Sequence, residues 1–116
     1  MHPLRTINRA ALVIRPREPY LRWAASLDVK APEHAEALRL SVSVYLVPED
    51  PDAEEETPPL EDYFAEIFER ELEAWWTDER QWPTRRDMAT FREWFDVVGD
   101  SLVTDLGTGQ VRTEVL

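Results

Sequence analysis

The chain has no cysteine, one lysine (Lys30), two histidines and three glycines among its 116 residues. The absence of cysteine excludes disulfides, thiolate nucleophiles, Cys-ligated zinc and iron–sulfur clusters, although it sets no redox compartment. The two histidines, His2 and His34, have no second ligand three or four residues away, so neither forms a metal-binding pair. Gly99, Gly107 and Gly109 make no phosphate-cradling loop and no dinucleotide fingerprint. Ser26, Ser41, Ser43 and Ser101 lack a nucleophile-elbow context and a nearby histidine to activate them. Long hydrophobic runs are missing as well. Ala10 to Ile14 is stopped by Arg15-Pro16, and no leader peptide or membrane span is readable, which makes the cytoplasm the expected compartment. No cofactor or metal is expected, and the chain leans away from being an enzyme.

What is abundant is acid. Asp and Glu number 24 against 13 Lys and Arg, a formal net charge of -11. Residues 1–40 carry seven bases and four acids, residues 41–79 one base and fourteen acids, and residues 80–116 five and six. The acidity belongs to the middle third. Such a surface repels phosphate backbones and anionic headgroups, so neither nucleic acid nor a membrane is an expected partner. With 43% hydrophobic residues the chain still has enough apolar surface for one core, and its length fits a single domain spanning 1–116.

Hydrophobic periodicity gives the elements. Asn8 to Arg15 reads as a buried strand ended by Pro16. Pro19 suits the first turn of a short helix carrying Tyr20, Trp23, Ala24 and Leu27. After a helical turn at Glu33 to Ala37, residues 38–47 alternate strictly, with Leu38, Leu40, Val42, Val44 and Leu46 expected to face the core and Arg39, Ser41, Ser43, Tyr45 and Val47 half wet. Residues 48–59 hold six acids and four prolines and predict a mobile acidic loop. The longest helix follows, with Leu60, Phe64, Ile67, Phe68, Leu72 and the Trp75-Trp76 pair at helical spacing. Trp82-Pro83 makes a corner, and Asp87 is an N-cap for a helix with Met88, Phe91, Trp94 and Phe95 on one face. Strand-like runs at 97–98, 101–106 and 110–115 close the chain, with Gly107-Thr108-Gly109 expected to turn a hairpin.

The order β-α-β-α-α-β-β predicts an α+β fold: a small mixed sheet of three to four strands with helices packed on one face. One helix between the first two strands favours a parallel pair, and two helices before the third favour antiparallel pairing of strands two and three.

Two sets of residues stand out as candidates. Five tryptophans are many for this length, and neighbours on a helix point about 100° apart, so Trp75 and Trp76 cannot both enter one flat core. Trp75, Trp76 and Trp82, with Tyr45, are therefore candidate anchors for a partner protein, set against ordinary core packing. The acids Asp96, Asp100 and Asp105, with Glu69 or Glu73, are the alternative: a carboxylate site for acid–base chemistry or a divalent metal.

Asn8 to Pro16 followed by Glu18-Pro19-Tyr20-Leu21-x-Trp23 resembles the opening of a family of small bacterial proteins of uncharacterised function. Val44-Tyr45-Leu46-Val47-Pro48, Trp75-Trp76-Thr77-Asp78-Glu79, Trp82-Pro83 and Thr90-Phe91-x-x-Trp94-Phe95 carry the same resemblance. It implies one intact domain in a bacterial cytoplasm and brings no catalytic residue. The reading that follows is a non-catalytic, acidic protein-interaction module.

Overall fold

The computed structural model describes residues 5–27, 31–49, 52, 59–100 and 102–115, apart from the side chains of residues 31, 32 and 100. Most of the expected acidic loop over 48–59 lies outside the described residues. The elements are β1 (Arg5–Thr6), β2 (Arg9–Pro16), α1 (Glu18–Ala25), α2 (Ala31–Ala37), β3 (Ser43–Pro48), α3 (Phe64–Trp75), α4 (Met88–Trp94), β4 (Phe95–Asp100) and β5 (Thr104–Asp105). Short 3₁₀ turns sit at Leu38–Leu40, Leu60–Asp62 and Glu79–Gln81. Among the described residues no helix is long and apolar enough to cross a membrane.

The fold is α+β. Its main sheet has the order β3-β2-β4, and β1 pairs with β5 in a separate two-stranded ribbon. Among the described residues every pairing is antiparallel, so the expected parallel pair is not found there and the sheet they form is not mixed. Two helices, α1 and α2, lie between β2 and β3 where one was expected. Together they return the chain to the end of β2 that it left, bringing Ser43 opposite Ile14. The next two strands in sequence, β3 and β4, do not pair with each other but flank β2 on either side. The continuous apolar run of β2 suits this central place, where neither flank meets solvent.

α3 and α4 cover one face of the sheet. Leu12 and Ile14 from β2, Val47 from β3 and Phe95 from β4 join Ile67, Phe68, Leu72 and Phe91 from the helices in one core cluster. Phe68 is fully enclosed, with its ring 5.6 Å from Phe91, 5.7 Å from Trp94 and 5.6 Å from Phe95, centroid to centroid. Burial of side chains of this size contributes about 1.5–3 kcal/mol each. Local chemistry sets the helix ends. Pro19 falls in the first turn of α1. Asp87 caps α4 as expected, its Oδ1 accepting from the Thr90 amide at 2.8 Å and from the Thr90 hydroxyl at 2.7 Å.

Three expectations are corrected. The strand expected over residues 38–47 begins only at Ser43, because Leu38–Leu40 form a 3₁₀ turn. Its faces are also exchanged: Val42, Val44 and Leu46 are exposed, while Tyr45 and Val47 turn toward the helices. Register decides this, since Val47 pairs with Ala10 and Tyr45 with Leu12, both on the covered face. Finally, no strand follows Gly109 among the described residues, and 106–115 are exposed. At the glycines the chain bends without a hairpin turn: the Gly107 amide donates to Asp105 Oδ1 at 2.7 Å, and the Arg5 guanidinium donates to the Gly107 carbonyl. The partner of β5 is β1 rather than a hairpin neighbour.

Candidate functional site

The open side of the sheet is built from the alternate residues of its three strands. Val13 in β2 lies between Val44 of β3 and Val98 of β4, and Ala11 lies beside Leu46. Val44, Leu46 and Val98 are 59%, 51% and 51% exposed, and Val42 at the entry to β3 extends the row. Among the described residues no element packs on this face. Exposed Arg9 and Arg15 stand at the two ends of β2, and exposed Asp96 of β4 is the register partner of Arg15. An apolar row rimmed by charge is the pattern that marks interaction surfaces.

The covered side holds a different feature, a cleft of about 160 Å³ where β2, β3 and the last turn of α3 meet. Its lining includes Tyr20, Ser41, Ser43, Glu71, Trp75 and Phe95. Glu71 Oε1 accepts a hydrogen bond from the Tyr45 hydroxyl at 3.2 Å, Ser43 shares the cleft lining with this carboxylate, and the Tyr20 hydroxyl donates to the Glu71 carbonyl at 2.8 Å. Burial pushes the Glu71 carboxyl above its ordinary range, against the opposing pull of the Ser43 and Tyr45 hydroxyls. Burial first, then the nearby Glu71 charge, also raises the Tyr20 and Tyr45 hydroxyls, which stay protonated donors at neutral pH. Among the described residues no ion pair reaches Glu71.

Of the aromatic candidates, Trp82 is buried at 9% exposure, with its indole N–H on the Trp76 carbonyl at 2.7 Å. Trp75 packs against the core and donates to the Ala24 carbonyl at 3.1 Å. α3 ends at Trp75, and Trp76 takes an extended backbone, so the pair does not share the helix. Trp76 is half-buried, and through its carbonyl it meets the Trp82-Pro83 corner. Tyr45 is half-buried on β3 and reaches Glu71 through its hydroxyl, while Trp75 lines the Glu71 cleft directly.

The acids are dispersed. Glu69 and Glu73 are exposed on α3, on the covered side of the sheet, while Asp96 is exposed on the open side. Asp105 is engaged with the Gly107 amide, and the side chain of Asp100 lies outside the described residues. Among the described residues no three His, Cys, Asp or Glu side chains gather as a metal site.

Glu71 escaped the sequence reading, although a signal was there. In the series Phe64, Ile67, Glu71, Trp75 the spacing is helical throughout, so Glu71 is the single acid on the apolar stripe of α3. No family model, no characterised protein and no solved structure matches the chain.

Proposed function

We propose that this protein is a non-catalytic interaction module that binds a basic partner protein on the open face of its sheet. The observation that supports this most is the row of exposed Val44, Leu46 and Val98 around half-buried Val13, on a sheet whose other face is covered by α3 and α4. The charge favours a basic partner over a second copy. At -11 each, two copies repel, whereas a basic protein is attracted to the acidic surface and then held by apolar contact. The same reading places the protein in a bacterial cytoplasm, following the family resemblance. Compared with the sequence reading, the contact surface moves from Trp75 and Trp82, whose indoles are committed to internal bonds, to the valine row.

The test is affinity capture from the native host with wild type, the triple variant Val44→Thr/Leu46→Thr/Val98→Thr, and Trp76→Ala. Threonine keeps the β-branch favoured in strands at each valine while adding a hydroxyl. The reading expects a basic protein captured by wild type and by Trp76→Ala, lost with the triple variant and released by salt. Sedimentation of the free protein as a dimer, or equal capture by the triple variant, would overturn it.

A further inference from the structure

The Glu71 cleft contains a chemical imbalance that the sheet-face reading does not use. A carboxylate withdrawn from water is costly unless it is matched by a positive charge or fully hydrogen-bonded. Glu71 has one hydroxyl donor, from Tyr45, with Ser43 beside it in the lining, while a carboxylate offers about four lone-pair sites. Among the described residues it has no cation. Three aromatic residues, Tyr20, Trp75 and Phe95, share the lining with aliphatic and serine side chains. A space of about 160 Å³ is close to a ~150 Å³ cavity that takes up one benzene, the size of a side-chain head group.

We propose that this cleft receives one organic cation, a guanidinium or primary ammonium head, with Glu71 as its charge partner and Tyr20, Trp75 and Phe95 as its aromatic surround. Each alternative ligand class fails on a particular of the site. An anion would meet Glu71 and a strongly acidic chain. A hard divalent ion seeks roughly six to eight oxygen ligands, and the cleft offers one carboxylate and a few hydroxyls. A neutral polar ligand would leave the half-buried charge uncompensated. A guanidinium or ammonium supplies N–H donors to the free lone pairs and is attracted to aromatic faces at the same time. The cleft lies on the side of the sheet opposite the valine row, so the two proposals stand or fall separately.

The experiment uses the full chain labelled with ¹⁵N, titrated with methylguanidinium chloride and with n-butylammonium chloride, sodium chloride at equal ionic strength being the baseline. The expected result is saturable shifts at the Ser43 and Glu71 amides and the Trp75 indole. In Glu71→Gln, affinity should drop at least about tenfold, the loss of one charge-assisted interaction. Circular dichroism and thermal melting of this variant establish that it is folded. Shifts no larger than those of sodium chloride, or unchanged affinity in Glu71→Gln, would overturn the proposal. N-acetyl-arginine-N-methylamide separates the two sources of such a cation. Binding as tight as methylguanidinium assigns the cleft to an arginine presented by a polypeptide, and weaker binding assigns it to a free small cation.

Discussion

On the covered face of the sheet, Leu12, Ile14, Val47 and Phe95 lie sealed beneath α3 and α4; on the open face, Val13, Val44, Leu46 and Val98 meet water. Both faces are apolar, and they differ in what packs against them. Leu12 and Val13 are consecutive in the chain, yet Leu12 is 1% exposed beneath the helices while Val13, paired with Val44 and Val98, is half-buried on the opposite face. A sheet needs one buried face to fold. An apolar second face adds nothing to that requirement and raises the risk of aggregation, so its retention is best explained by use.

Substitutions on the two sides test how far they differ. Phe68→Ala, at the point where three aromatic rings converge, should cost about 3–5 kcal/mol in urea unfolding, a large part of the ~5–15 kcal/mol typical of a domain. Leu12→Ala should cost about 2–5 kcal/mol by the same measurement. Glu71→Gln should change stability less and in the opposite direction. With its folded pKa raised, Glu71 adds stability only while protonated, and that contribution is lost as pH rises from the ordinary value of 4.5 through the raised one. At pH 7 the glutamine variant should therefore melt higher than wild type, and the difference should vanish below pH 4.5. Smallest of all, Val44→Thr with Val98→Thr should stay within about 0.5 kcal/mol of wild type while reducing the binding of an apolar dye. A cost on the open face equal to that of Leu12→Ala would erase the distinction between the faces.

Much of this was readable in the residues. The central strand, the Asp87 cap and the apolar stripe of α3 follow from local rules that tertiary structure did not override. The faces of β3 were not readable. Its sequence is apolar on one side and carries Tyr45 and Val47 on the other, so alternation allows either orientation, and only pairing with β2 decides between them. The α1–α2 pair reads from sequence as one helix followed by a brief turn or helical segment; counting only the first helix predicts a parallel pair, whereas the full second helix α2 returns the chain for antiparallel pairing. The cleft was hidden for a further reason. Glu71, Tyr20 and Ser43 come from three separate elements, and the spacing of none of them indicates the others.

The indole N–H groups have a kinetic consequence. The connector from Trp76 to Asp87 has little regular structure, and such segments ordinarily open on their own and exchange their protons quickly. Here Trp23 donates to the Gln81 carbonyl at 2.8 Å and Trp82 to the Trp76 carbonyl at 2.7 Å, tying the connector to α1 and to itself. Trp75 adds a third tie between α3 and α1. The part-buried Trp75 and Trp82 indole protons should therefore exchange with deuterium more slowly than the Trp23 proton, whose bond to Gln81 is exposed.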